Sequence, residues 1–321
     1  MSALVAEAAE SPTGSDWAVE TRGLTKKFGN NIAVDGVDLR IPRGCAFGYL
    51  GPNGAGKTTL IRMLLGLTRA DSGSMSLLGH SVPQHRDVAL ARVGAIVDEP
   101  RFHHHLTGRQ NLRLLAAARE PAAASRIEQS LERVGILRRA DDKVSKYSMG
   151  MRQRLGVAAC LLGDPELLVL DEPMNGLDPA GMHEMRDMIR SLVDEGRTVV
   201  LSSHLLDEVE RTCDAVAIVD RGKVVRQGTI SDLLAGSAAT VEVDCANPAE
   251  AIALLQSDRG WSVAGREDGV LVTLAPEAGR EAVAALTRLL VEGGIAVYRV
   301  QPAQASLESW FLQVTKRLED A

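Results

Sequence analysis

Residues Gly51 to Thr59 read GPNGAGKTT, the spacing G-x-x-x-x-G-K-[ST]. The glycines let the backbone curl so that successive N–H groups face one point, the geometry that holds phosphate oxygens. A helix starting at the end of the loop adds the positive end of its dipole. Lys57 has the reach for β- and γ-phosphates, and the Thr58 hydroxyl can ligate Mg²⁺. The candidate cradle is therefore Gly51, Pro52, Asn53, Gly54, Ala55, Gly56, Lys57, Thr58 and Thr59. A glycine-rich turn arising by chance would not sit between an apolar strand, CAFGYL, and a helical run, KTTLIRMLLGL.

A second acidic element is LLVLDEP, an apolar run that carries Asp171 and Glu172 at its C-terminal end. Open α/β sheets bind ligands at that end of their strands. Asp171 suits a Mg²⁺ shell, and Glu172 suits orienting or deprotonating an attacking water. Taken alone, the run reads better as a strand ending in solvated acids; its company with the phosphate loop reverses that reading. LSSH ends a further apolar strand with His204, which can reach the same sheet edge and a γ-phosphate. Phe28, in LTKKFGN upstream of the loop, is either an aromatic packed beside a turn or a surface for stacking adenine. In KYSMGMRQRL, Ser148 and Gly150 stand at the start of a helix, offering a hydroxyl, backbone N–H groups and a dipole to an anion. Helix capping alone also accounts for that stretch. A second anion site in a chain that already has a phosphate loop implies a second partner for the nucleotide.

The elements that must hold these groups alternate. Strand-like patterning runs from Ala18 to about Leu50, and the helix after Gly56 is followed by strands SMSLLG and VGAIV. Two helical stretches come next, around LTGRQNLRLLAAAR and ASRIEQSLERVGI. LLVL and TVVLSS are short apolar runs bounded by turns, as buried parallel strands are. AVAIVDRGKVVRQG reads as a hairpin. After LLAGSAAT the order becomes β-α-β-β-α-β, that of a small ferredoxin-like unit, with a last helix over ASLESWFLQVTKRL. The expected organisation is a disordered tail at 1–17, an α/β nucleotide domain at 18–234 and an α+β accessory domain at 240–321.

In order and company, these motifs resemble the nucleotide-binding subunit of ATP-binding cassette (ABC) transporters, over roughly Ala18 to Leu234. The resemblance implies a P-loop ATPase fold with a helical signature subdomain, ATP and Mg²⁺ as cofactors, and two copies closing on two nucleotides. YSMGM resembles the family signature Leu-Ser-Gly-Gly-Gln: Ser148 and Gly150 match, whereas Tyr147, Met149 and Met151 replace the other three positions. The same likeness makes GLDP a loop in which Asp178 crosses the dimer interface. It gives Phe28 the adenine-stacking role and His204 the switch role. One departure stands out. Where the family usually has a glutamine after an apolar strand, VGAIVDEPRFHH places Asp98, with Glu99 as a neighbouring alternative. A carboxylate can contact Mg²⁺ or water, but its charge and reach differ from an amide's, so the coupling role of this position does not carry over.

Composition narrows the classes. At 321 residues, with 45% apolar and 24% charged, the chain can bury one large core and a smaller one. A net charge of −6 argues against a nucleic-acid binder. Cys45, Cys160, Cys213 and Cys245 are widely spaced, which reads as reduced thiols and not a disulfide or zinc framework. No apolar run approaches the roughly 18–20 residues of a membrane span. His103, His104 and His105 are consecutive loop residues and do not converge on one ion readily. The combined expectation is the ATP-hydrolysing motor subunit of an exporter of drugs, antibiotics or similar amphipathic compounds. A second identical subunit and a separate multi-spanning permease would be its partners, at the cytoplasmic face of the cell membrane. An importer motor and a soluble ATPase of the same superfamily are the alternatives. The exporter preference rests on the signature style and the ending SLESWFLQVTK, which resemble bacterial drug-resistance and antibiotic self-protection subunits.

Overall fold

The computed structural model describes residues 16–235, 240–257, 261–274, 280–303 and 306–308. The expected tail before residue 16 and most of the final helix fall outside these residues. In chain order the elements are β1 (Trp17–Phe28), β2 (Asn31–Pro42), β3 (Ala46–Leu50), α1 (Lys57–Leu64), β4 (Ser72–Leu77), β5 (His80–Val82), α2 (Arg86–Ala91) and β6 (Val93–Ile96). There follow α3 (Gly108–Ala117), α4 (Ile127–Arg133), α5 (Met149–Leu161), β7 (Leu167–Leu170), α6 (Pro179–Asp194), β8 (Thr198–Ser203), α7 (Leu206–Thr212), β9 (Ala215–Asp220) and β10 (Lys223–Thr229). The chain divides into two compact units, Met1–Gly228 and Thr229–Ala321.

The first unit holds two sheets. Every residue of β3 (AFGYL), β7 (LLVL) and β8 (TVVLSS) is buried, as strands covered on both faces must be. They occupy the middle of a six-stranded sheet ordered β10-β9-β3-β8-β7-β6. The pairs β3–β8, β3–β9, β7–β8 and β6–β7 are all parallel. Parallel register sends the C-terminal ends of β3, β6, β7 and β8 to one edge, so the loops that follow them share that edge. β10 returns beside β9 through the turn Arg221–Gly222, both at positive φ (47° and 80°), which suits the right-handed twist of a tight hairpin.

The second sheet is antiparallel, ordered β2-β1-β4-β5. It was not legible as a separate layer in the apolar pattern. Its inner residues (Val19, Leu24, Val34, Leu39, Ile41) pack with Leu60, Ile61, Met63 and Leu64 of α1 and with Phe47 and Tyr49 of β3 in one cluster. The helix that begins at the glycine loop is thus part of the main core. Truncating one such leucine to alanine would cost about 2–5 kcal/mol.

In the second unit, α8 (Ile230–Ala235) leads into β11 (Thr240–Cys245), α9 (Pro248–Ser257), β12 (Ser262–Arg266), β13 (Gly269–Thr273), α10 (Arg280–Glu292) and β14 (Val297–Ala303). The sheet is ordered β12-β13-β11-β14 with antiparallel pairing, the ferredoxin-like arrangement expected from the β-α-β-β-α-β order. One face buries Val241, Val243, Val270 and Val272 against Ala251 and Leu255 of α9 and Leu286 and Leu290 of α10. The alternate residues of β11 carry acids, and Glu242 and Asp244 pair with Arg266 (2.8 Å) and Arg299 (2.9 Å) respectively. All four cysteines are free thiols. Burial pushes the Cys45 and Cys160 thiols up to about 12, so neither is a thiolate at neutral pH.

Candidate functional site

The loop between β3 and α1 is held in place by its own glycines and by the neighbouring strand. Gly54 and Gly56 have φ of 83° and 96°, values L side chains rarely adopt. A Cβ on Gly56 would also collide with the carbonyl of Ala33. The Gly51 N–H donates to the Ser203 carbonyl (3.2 Å), which ties the loop to the end of β8. α1 opens with Gly56 as its N-cap, no side chain capping it and no acid in its first turn. Its first N–H groups and its positive dipole end are therefore left to the loop interior.

Lys57 is 6% exposed, and its Nζ donates to the carbonyls of Gly51 (2.7 Å) and Pro52 (3.2 Å). The same ammonium lies 3.2 Å from Glu172 Oε1. The other oxygen of that carboxylate, Oε2, is 2.8 Å from Nδ1 of His204. β7 and β8 are adjacent parallel strands, which is what delivers Glu172 and His204 to each other across the edge. Glu172 holds a left-handed backbone, φ 48°, a conformation that costs a non-glycine residue about 1–3 kcal/mol. Ser202, inside buried β8, secures the turn: its Oγ donates to Asp171 Oδ1 (2.5 Å) and accepts from the Glu172 N–H (2.9 Å).

Two clefts flank this cluster. The first is lined by Phe28, Asn31, Asn53, Gly54, Gly56, Lys57, Thr58, Thr59, Glu172, Asn175 and His204. Phe28 is 54% exposed there, with the Lys26 ammonium 5.3 Å from its ring centroid. The second is lined by Thr58, Asp98, Glu99, Met149, Gln153, Asp171, Glu172, Asn175 and Gly176. Among the described residues no three His, Cys, Asp or Glu side chains close on one point as a complete cage. The Thr58 hydroxyl and the buried Asp171 carboxylate are hard oxygen donors of the kind that suit Mg²⁺, which keeps waters and takes substrate phosphate oxygens besides one or two protein ligands. Asp98 has φ 60°, and its Oδ2 is engaged by Arg62 of α1 at 2.7 Å. On the same wall Gln153 is 5% exposed, and its Oε1 is enclosed with no hydrogen-bond partner. A buried acceptor left so costs about 1–3 kcal/mol.

The structure places Ser148, Gly150 and Asp178 elsewhere, in a third cleft with Arg154, Gly181 and Glu184. Ser148 caps α5, accepting the Met151 N–H at 3.3 Å, and Asp178 caps α6, accepting the Gly181 N–H at 2.9 Å. Met149, the residue between Ser148 and Gly150, rests on Gly176 so closely that a Cβ there would lie 2.6 Å from its sulfur. His103 and His105 stand edge to face, their ring centroids 5.7 Å apart, and the His103 N–H is held by Asn111 (2.8 Å).

Ser202, Asn175 and Gln153 are the site residues that sequence reasoning passed over. A serine inside a wholly buried strand two residues before His204 was a signal for the first. Nothing local marked the other two.

A family profile described as ABC transporter matches residues 34–175. An uncharacterised ABC transporter ATP-binding protein of Bacillus subtilis (strain 168) is 39% identical, covering 92% of this chain and 95% of that protein. A bacitracin transport ATP-binding protein of Enterococcus faecalis is 35% identical (92% and 96%). A daunorubicin resistance ATP-binding protein of Streptomyces coeruleorubidus is 36% identical (96% and 99%). Among solved structures, an ATP-binding subunit of an ABC transporter superposes with a TM-score of 0.60 at 28% identity, over 67% of this chain and 91% of that one.

Proposed function

This chain belongs to the ABC transporter ATP-binding proteins, and on that premise we propose that it is the ATP-hydrolysing motor of an exporter for a drug, antibiotic or other amphipathic compound. The observation that carries the reading is the run Lys57–Glu172–His204 laid across the mouth of the glycine loop, with Asp171 fixed beside it. An incoming phosphate replaces the loop carbonyls as the partner of Lys57, because a full anionic charge outcompetes neutral acceptors. Glu172, released from the ammonium, orients or deprotonates the attacking water, while His204 holds its other oxygen and stands towards the γ-phosphate. Catalysis here is mostly positioning and charge stabilisation. Thr58 and Asp171 hold Mg²⁺, whose contribution when bound is to neutralise charge on the phosphate oxygens. Asp98, with Glu99 beside it, lines the same wall and becomes free to contact the Mg²⁺ shell once its ion pair with Arg62 opens. Phe28 offers its exposed face to adenine.

Ser148, Gly150 and Asp178 are assigned to the nucleotide of a second, identical copy. Their separation from the phosphate loop supports that assignment. Among the described residues no helix is long and apolar enough to cross a membrane. Passage of cargo is therefore given to a separate multi-spanning permease, with this chain at its cytoplasmic face and residues 240–321 as an accessory domain. The names of the bacitracin and daunorubicin relatives support export of an antibiotic-like cargo. The test is to tag the chain in its native host, solubilise the membranes gently and identify what co-purifies. Stoichiometric recovery of a multi-spanning membrane protein is the expected result. Recovery with ribosomes or DNA alone would overturn the transporter reading while leaving the ATPase intact.

A further inference from the structure

Four of the side chains lining the second cleft, Asp98, Glu99, Asp171 and Glu172, are acids, and one of the neutral side chains among them has a buried acceptor with no partner. That side chain is Gln153, in the second turn of α5, nearly fully buried and with its amide oxygen enclosed and unpartnered. The only other enclosed side-chain atom without a partner among the described residues is Nε of Arg186, and that guanidinium still holds Glu208 through a second nitrogen at 2.8 Å. α5 is fixed where it stands: one turn beyond Gln153, a Cβ on Gly156 would lie 2.9 Å from Ile96 and 3.0 Å from Pro100. The helix therefore cannot draw Gln153 away from the cleft to relieve it. Three of the four carboxylates around it are already engaged, Asp171 by Ser202, Asp98 by Arg62 and Glu172 by Lys57 and His204.

We propose that Gln153 is a ligand-wall residue of this cleft: its amide oxygen accepts a hydrogen bond from the water shell of the divalent cation that Thr58 and Asp171 hold. A buried neutral acceptor beside hard oxygen donors is suited to that partner, since hydrated Mg²⁺ presents water protons outward. The amide supplies an uncharged oxygen on a wall where Asp98 brings a charge. The inference rests on the Mg²⁺–ATP reading above.

Gln153→Met keeps side-chain length and helix propensity while removing the acceptor, and Gln153→Glu keeps an oxygen. For wild type and both variants, binding of a non-hydrolysable ATP analogue is titrated in EDTA and at graded Mn²⁺, and the nucleotide-free thermal midpoint is recorded. In Gln153→Met the half-saturating Mn²⁺ should rise about tenfold, the loss of one charge-assisted hydrogen bond. Its analogue affinity in EDTA should hold, and its thermal midpoint should stay level or rise, because the unpaired acceptor is gone. Gln153→Glu should keep the wild-type Mn²⁺ dependence or tighten it. An unchanged Mn²⁺ requirement in Gln153→Met sinks the inference alone. So does a fall in its thermal midpoint with equal losses in EDTA and Mn²⁺, which would mark a purely structural residue. If wild type itself binds the analogue with no response to Mn²⁺, the Mg²⁺–ATP reading falls and takes the inference with it.

Discussion

The cluster around Lys57 and the cleft around Ser148 are built on opposite plans. In the first, buried and half-buried polar groups hold one another: Lys57, Glu172 and His204 form a run, and Ser202 grips Asp171 and the Glu172 backbone together. In the second, Ser148 and Asp178 are each satisfied within their own segments, capping α5 and α6, and Arg154 of α5 pairs with Glu184 of α6 at 2.7 Å. The first is preorganised and carries backbone strain at Glu172. The second is locally relaxed, held by ordinary helix caps and the Arg154–Glu184 ion pair. A site that stores strain and buried charge can act on a ligand at once. One made of helix ends has nothing to do until a charged group is brought to it.

That contrast can be broken by substitution, beginning with the largest effect. Glu172→Gln should lower steady-state ATP hydrolysis by about 10²–10⁴-fold, the range for loss of a positioned general base. ATP should still bind, and near-wild-type turnover would remove Glu172 from its role. Ser202→Ala should destabilise the chain by about 1.5–3 kcal/mol in urea unfolding, because it strips a buried carboxylate of its donor. A loss no larger than that of a surface serine would mean that the cluster is not held as described. Ser148→Ala should cost only about 1 kcal/mol, the value of an N-cap. ATP affinity at low protein concentration should be untouched, while hydrolysis at high concentration collapses. If hydrolysis survives, the second cleft is a helix cap and no more. Arg62→Ala should change stability by less than about 1 kcal/mol, since the pair with Asp98 is solvent-exposed. A larger loss would place Asp98 among the preorganised groups.

How much of this was legible in the sequence follows from how local each feature is. The cradle Gly51–Thr59 is contiguous, and its glycines are demanded by its own backbone, so nine residues announced it. Asp171, Glu172 and His204 were readable because each closes an apolar strand. Their contact was not, since it needs β7 and β8 to be neighbours in the sheet. Ser202, Asn175 and Gln153 reach the clefts only through tertiary packing and left no spacing to count. The antiparallel sheet β2-β1-β4-β5 escaped for a related reason: alternation tells which face of a strand is buried, not which sheet it joins. In the second unit the order of elements sufficed, because few pairings suit a β-α-β-β-α-β chain.

The pairing of β3 has a consequence for how the protein is made. Ala46 lies beside Val199, and Phe47 beside Ala215, so the central strand finds both its neighbours about 150 residues later. At roughly 5–20 residues per second, a ribosome spends on the order of ten seconds or more between them. Throughout that interval the glycine loop has been synthesised but lacks the strand whose Ser203 carbonyl anchors it. A nascent chain therefore gains its nucleotide pocket late and all at once, when β8 closes against β3. Until then the apolar run AFGYL has neither of its strand partners, and both its hydrogen-bonding edges stay open.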